Sequence, residues 1–440
     1  MKKLIFWEVN EINFDYVQSY IEQGELPHWK QAIEKFGLNT TLSEQVYEQI
    51  EPWIQWPTVR TGMDYSEHQV FRLGDMALSE APQHWEQLEQ AGFSVAAVSP
   101  INGANRTQKS PFWLPDPWVD TPVSGGPFAH RITAALRQAV NDNSEEKLTM
   151  ASIAAVMEGL MTRAKASSWL RYVKGVFGAV KRQHWSKAVV LDRLLSDVFI
   201  ALWKKHQPDF SVLFLNGGAH VQHHYMCSAA PYKGKASNPE WYVPEGVDPL
   251  LEMLQMYDEV LADLLKLSNT RLMIATGMQQ VPYEDVAYYW RLRDHAAFLQ
   301  KIGIDHVRVQ PRMTRDFLVE FKTERETNEA ERKLLNVVTD DGKPLFEEVD
   351  NRGNSLFVTL TWAHDIVKGF AIVSEGQRYE KFDEDVVFVA IKNAHHHTLG
   401  YYLDTDRCPG EIEKDMPLKR LHGEIMEHFG VCERCSENAA

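Results

Sequence analysis

The sequence predicts an α/β protein: a central, mostly parallel sheet flanked by helices, with a helical insertion and a small α+β insertion. Three observations predict it. Apolar runs of strand length recur along the chain, most of them are separated by helical patterns, and one long stretch carries helical spacing with no strand signal. Strands alternating with helices favour parallel pairing, because each crossover lays a helix on a face of the sheet.

The strand-length runs are Leu4 to Val9, Phe93 to Ser99, Phe210 to Asn216, Leu272 to Thr276 and Val386 to Ile391. Residues 128–205 repeat apolar residues at helical spacing and read as the helical insertion; within them, Met150 to Val180 is basic. Residues 305–373 hold the short alternating runs HVRVQ, DFLVEF, SLFVTLTW and GFAIVS around a charged helix near Glu329 to Val338, and read as the α+β insertion. The core is then 1–127, 206–304 and 374–430, followed by a polar tail, 431–440.

The 440 residues, 44% of them hydrophobic, suffice for a large core. With 46 Lys plus Arg against 61 Asp plus Glu, the formal charge of -15 disfavours non-specific attraction to nucleic acid or anionic lipid, so an anionic substrate needs a local positive site. Glu8 interrupts the first apolar run before a signal-peptide core is complete, and no stretch approaches the roughly 18–20 apolar residues that span a bilayer. Integral membrane contact is therefore not expected, while attachment to a membrane surface stays open. Four cysteines, Cys227, Cys408, Cys432 and Cys435, do not make a disulfide framework and suit a reducing, cytoplasmic compartment. Cys432 and Cys435 form one CxxC, without the second pair that a thiolate zinc site needs.

Histidines carry the chemical signal. His220, His223 and His224 follow one strand run, and His395, His396 and His397 follow another. Beyond the carboxyl ends of an open sheet, imidazoles from two loops could converge on one ion, with Glu8, Asn10, Glu11 or Glu51 nearby. Clustered histidines also simply hydrogen-bond backbone, and three in a row cannot all point the same way. Trp7, Trp53, Trp56, Trp113 and Trp118 are candidate stacking platforms for a sugar or base, and Arg60, Arg72, Arg312 and Arg315 are candidate anion clamps. No P-loop or dinucleotide fingerprint is present.

Five segments resemble bacterial type I phosphodiesterases, related to nucleotide pyrophosphatases, of the alkaline phosphatase superfamily. NEINFDYVQSYIEQGELP resembles the family opening, with Asn10 where a metal-binding aspartate stands. In EPWIQWPTVRTGMDYSEH, Thr61-Gly62 and His68 fit, and the nucleophile position falls on Pro52, leaving Glu51 and Thr58 as the nearest replacements. PDFSVLFLNGGAHVQHHY is similar to a strand followed by Asp-x-x-x-His, here Ala219 and His223; the family's later Tyr-Asp pair matches Tyr257-Asp258. The family's Asp-His ligand pair falls on Thr276 and Gly277, and its late His-x-x-x-Gly on His396 and Gly400.

The resemblance implies an alkaline-phosphatase-like fold and a divergent, histidine-rich site. The function it implies is a metal-dependent hydrolase or transferase acting on a phosphate-type ester, of a sugar conjugate or a nucleotide. Glu51 and Thr58 would be catalytic, Asn10, Arg60 and Trp56 would contact substrate, and His220, His223 and His396 would hold one divalent transition metal, zinc by preference. The partner is a small-molecule or glycan-linked anionic substrate and not nucleic acid. The alternative is a non-catalytic relative that binds a ligand or a partner protein.

Overall fold

A computed structural model of the chain describes residues 1–141, 149–180, 183–311, 315–411 and 414–431. Arg312, the Cys432–Cys435 pair and all but the first residue of the polar tail lie outside them. The chain divides into two compact units, one of residues 1–233, 243–282 and 394–440 and one of residues 234–242 and 283–393.

The first unit is built on an eight-stranded sheet. Its strand order is Met416–Pro417, Asn39–Leu42, Leu399–Asp404, Thr270–Ala275, Lys3–Val9, Phe210–Leu215, Val95–Val98 and Trp113–Leu114. From Thr270–Ala275 to Trp113–Leu114 neighbouring strands are parallel, and Leu399–Asp404 runs antiparallel to both its neighbours. Three of the strand-length runs are inner neighbours: Lys3–Val9 pairs with Phe210–Leu215 on one side and Thr270–Ala275 on the other. Their sequences are near-continuous apolar because helices cover both faces; Leu4, Ile5, Phe6 and Trp7 are all 0% exposed. Each such side chain contributes about 1.5–3 kcal/mol of burial.

The Val386 to Ile391 run belongs elsewhere. It opens the long strand Val386–His397, which pairs with Gln279–Leu292 in a separate two-stranded sheet, and the late strand of the central sheet is Leu399–Asp404. The helical insertion is entirely helical where described: Pro127–Asn141, Met150–Arg163, Trp169–Val180 and Trp185–His206.

The second unit is wider than the expected 305–373. A four-stranded antiparallel sheet, in the order Glu348–Asn351, Ser355–Thr359, Asp316–Glu320 and Arg308–Pro311, packs with the Glu324–Leu335 helix around Phe317, Val319, Leu334, Leu356 and Val358. The same core takes in Trp290, Leu292, Phe382 and Val386, from beyond both expected boundaries.

Two sequence signatures of the resemblance prove to be one structural joint. Pro27 opens the Pro27–Phe36 helix, and the Asp258 carboxylate accepts from the backbone N–H groups of His28 (3.0 Å) and Trp29 (2.8 Å) in its first turn. Tyr257, next to it, donates its hydroxyl to Asp192 at 2.6 Å and accepts from Gly218 N–H at 2.9 Å. Asp192 also accepts from Gly217 N–H at 2.7 Å, fixing the start of the Gly217–Tyr225 helix. Burial pushes the Asp192 carboxyl up to about 7 against the pull of these two donors. A Cβ at Gly217 would stand 2.7 Å from the Asp192 carboxylate, and one at Gly218 would stand 2.8 Å from the Tyr257 ring, so a larger residue at either position would press on this joint.

Candidate metal centre

The first strand ends at Val9, and the chain then turns through Glu11, whose φ of 61° is left-handed. That conformation directs the Glu11 side chain across the strand ends. Its backbone is tied on both sides, by Glu11 N–H to Thr276 O (2.9 Å) and Gln222 Nε2 to Glu11 O (2.7 Å). The carboxylate is equally held: Asn10 Nδ2 donates to Oε1 at 2.6 Å, and Gln280 Nε2 donates to Oε2.

His223 comes from the helix that follows Phe210–Leu215. His396 comes from the end of Val386–His397, just before the antiparallel strand Leu399–Asp404, whose amino end lies at the same edge as the carboxyl ends of its parallel neighbours. The three side chains meet. His223 Nε2 is 3.2 Å and His396 Nε2 3.1 Å from Glu11 Oε2, and the two Nε2 atoms are 3.2 Å apart. Glu11, His223 and His396 form the one His/Cys/Asp/Glu group of metal-binding spacing among the described residues.

The other ring nitrogens have partners of their own. His223 Nδ1 lies 3.2 Å from Ala394 O, a carbonyl that can only accept, so Nδ1 carries a proton. His396 Nδ1 lies 3.4 Å from Glu51 Oε2, an ion-pair contact. Burial alone would push the Glu11 carboxyl up, but the imidazoles of His396 and His223 hold it well below the usual carboxylate range. Two imidazole nitrogens and a carboxylate oxygen thus converge on one point, where an ion can take the place of the protons they share. Ligand atoms 2.0–2.2 Å from a tetrahedral ion stand about 3.3–3.6 Å apart, so the triangle of 3.1 to 3.2 Å is slightly tighter than one face of such an ion's shell.

The remaining residues expected at the site fall outside this triangle. Asn10 is 0% exposed; besides holding Glu11 it donates to Asn216 Oδ1 (2.8 Å) and accepts from Trp56 Nε1 (2.8 Å), which makes it a positioning residue with no face for substrate. Trp56 is 0% exposed, with its ring edge-on to Phe6 and Phe214, so it is core and not a stacking platform. Trp7 and Trp113 are likewise buried. Arg60 is 0% exposed and ion-paired with buried Glu8 at 2.7 Å, so its guanidinium cannot clamp an anion. Arg315 lies over the Tyr289 ring in the second unit.

Thr58 is no activated nucleophile. His68 Nδ1 accepts from Val70 N–H at 3.0 Å, so His68 Nε2, 3.1 Å from Thr58 Oγ1, is the protonated nitrogen, and the threonine donates instead to Ile54 O. Burial also pushes the His68 imidazole down to about 4. His220 is exposed and its ring meets that of His224 at 4.8 Å, away from the Glu11 carboxylate. His395 and His397 turn their Nδ1 atoms to the backbone of His396 and Leu399, as alternation along a strand requires. Ala219 is buried, its carbonyl accepting from Gln280 Nε2 at 3.0 Å.

Where the resemblance implies a second metal's ligands, the chain has packing. Thr276 is 0% exposed and its hydroxyl accepts from Tyr401 N–H at 2.8 Å. Gly277 has φ 73°, and a Cβ there would stand 3.1 Å from the Trp56 ring. Glu11, one of the four residues the sequence sets near the histidines, takes the carboxylate corner of the triangle, beside the position where the resemblance puts a metal-binding aspartate.

No protein-family model matches the chain, and no curated protein matches it. Among solved structures the chain is similar to phosphonoacetate hydrolase from Sinorhizobium meliloti 1021 in complex with phosphonoformate, at 12% identity over 97% of this chain and 96% of that one, with a TM-score of 0.47. It is similar to murine ectonucleotide pyrophosphatase / phosphodiesterase 5, at 11% identity over 98% and 96%, with a TM-score of 0.42. It is also similar to alkaline phosphatase from the Antarctic bacterium TAB5, at 9% identity over 97% of each chain, with a TM-score of 0.39. In each case the similarity runs over nearly the whole of both chains.

Proposed function

We propose that this chain is a divergent alkaline-phosphatase-like hydrolase that uses one divalent ion, held by Glu11, His223 and His396, to cleave a small phosphate-type ester with water as the nucleophile. The observation that carries the reading is the convergence of two imidazole Nε2 atoms and one carboxylate oxygen within 3.1 to 3.2 Å of one another. A two-histidine, one-carboxylate donor set suits zinc, and a bound divalent ion supplies Lewis-acid polarisation of a phosphoryl oxygen and of water.

The chain's own groups do the rest. Asn10 and Gln280 fix the Glu11 carboxylate, and Ala394 O and Glu51 fix the two imidazoles, as outer partners of metal ligands do. Glu51, with its side chain 30% exposed just before the Pro52–Thr61 helix, is the carboxylate placed to take a proton from attacking water. Pro52 leaves that helix start without a nucleophilic atom, which favours direct attack by water over a phosphorylated protein. Trp7, Trp56 and Trp113 are buried and offer no platform for a sugar or a base, and a small anionic ester is the substrate class of this reading.

The same Pro52 also favours a second reading, a relative that binds its ligand without turnover. Zinc-loaded protein assayed on p-nitrophenyl phosphate and on bis(p-nitrophenyl) phosphate separates the two. Hydrolysis of either ester, lost in His396→Ala and reduced about 10²–10⁴-fold in Glu51→Gln, supports the hydrolase. Stoichiometric zinc with no turnover of either ester would leave the binding role.

A further inference from the structure

Two helices of the insertion are turned inside out. On Met150–Arg163 the buried face carries Ser152, Ala155 and Gly159, while Met150, Ile153, Met157 and Met161 form an exposed stripe at helical spacing, Met161 being 69% exposed. On Trp169–Val180 the buried face is Tyr172, Gly175 and Gly178, and the exposed face carries Trp169, Leu170, Val173, Val176 and Phe177, with Leu170 at 65% and Phe177 at 63%. A surface helix ordinarily buries its large apolar residues and exposes its polar ones.

The packing holds this orientation. A Cβ at Gly175 would lie 2.0 Å from Val190, and one at Gly178 would lie 2.1 Å from Ser186, both on the Trp185–His206 helix, so no larger face could be turned inward there. Each helix presents a stripe of its own at helical spacing, methionines and isoleucine on the first and tryptophan, leucine, valine and phenylalanine on the second, rather than singly scattered exposed residues.

Charge selects the occupant. The chain carries a formal -15, yet residues 149–180 hold Arg163, Lys165, Arg171 and Lys174 against the lone acid Glu158. Glu158 pairs with Arg131, while Lys165 and Arg171 pair with Asp263 and Glu259; Lys174, exposed beside the stripe, makes no ion pair among the described residues. With these partners included, Arg131, Arg163, Lys165, Arg171 and Lys174 stand against Glu158, Asp263 and Glu259, so the face is apolar with a balance of +2 on an otherwise acidic protein. A symmetric contact between two copies would set this positive face against itself, whereas anionic headgroups attract it and the acyl boundary receives its apolar side chains. The geometry points to Met150–Arg163 and Trp169–Val180 as a peripheral docking surface for an anionic lipid bilayer, lying in the interface without crossing it. Among the described residues no helix is long and apolar enough to cross.

Flotation of the full-length protein with phosphatidylcholine vesicles, and with vesicles that also contain phosphatidylglycerol, tests this. Wild type should float with the anionic vesicles and less with the neutral ones. Leu170→Ser with Phe177→Ser, and independently Met157→Gln with Met161→Gln, should each weaken binding by about tenfold or more. Their melting temperature should not fall, because the replaced side chains are exposed. Wild type that floats with neither vesicle, or binding that both double variants retain, would overturn the proposal. So would a dimer in light scattering that these substitutions dissociate, which would assign the face to a second copy.

Discussion

At the carboxyl ends of the central strands, Glu11, His223 and His396 turn polar atoms toward one point, whereas Asn10, Trp56, Thr276 and Gly277 at the same ends form packed core. Both groups lie at the same edge of the central sheet, so the difference lies in side chains and not in place. In the first group the backbone delivers two imidazoles and a carboxylate held from below. In the second, an indole fills the space, a glycine makes room for it, and Asn10 joins the two by accepting from Trp56 and donating to Glu11. A strand end becomes a site where polar side chains from separate elements converge on one point, and becomes core where an indole fills that space.

The packed group gives the largest expected effect. Trp56→Ala should cost about 3–5 kcal/mol in denaturant unfolding, because it opens a large cavity and strips Asn10 Oδ1 of its donor. A cost under about 1 kcal/mol would mean that the space is not filled as described. Gly277→Ala should cost about 2–4 kcal/mol by the same measurement, combining a left-handed backbone with a methyl pressed on the Trp56 ring.

The ligand group rests on the seat of the His223 helix, where Asp192 titrates near 7 against an unfolded value near 3.8. A raised acid stabilises below its unfolded pKa, and that contribution falls as pH rises from about 4 through about 7. Stability should therefore drop by about 2–3 kcal/mol between pH 5 and pH 8. In Asp192→Asn, which keeps an acceptor for Tyr257 and Gly217, that drop should disappear. A pH profile unchanged by the substitution would reject this view of the seat.

Asn10→Asp sets one group against the other. It removes the donors to Glu11 Oε1 and Asn216 Oδ1 and adds a like charge beside Glu11, at a cost of about 1–3 kcal/mol. It should recruit no second ion, since Trp56 still occupies the space. A second equivalent of zinc in this variant would break the comparison.

Much of this was legible in the residues. Runs such as Leu4 to Val9 announced inner strands because burial on both faces leaves no polar alternation to obscure them. Leu399–Asp404 was hidden because LGYYLD lacks an apolar run: its tyrosines are buried, and Tyr402 and Arg271 both bind the Asp404 carboxylate. His223 and His396 could be singled out because they stand at ligand positions of a resembled motif. Glu11 could not, since nothing in the residue order reveals that its backbone adopts φ 61° and turns the carboxylate across the strand ends. Arg60 and Trp56 misled because a segment beside a site is not a surface; all but one residue of the Pro52–Thr61 helix is buried, whatever its chemistry.

Metal content, measured by mass spectrometry on protein dialysed against zinc and then metal-free buffer, tests the central claim most directly. The account predicts one zinc per chain, falling to background in Glu11→Gln, His223→Ala and His396→Ala, with circular dichroism unchanged in all three. Two zinc ions per chain, or one that survives loss of either histidine, would contradict it.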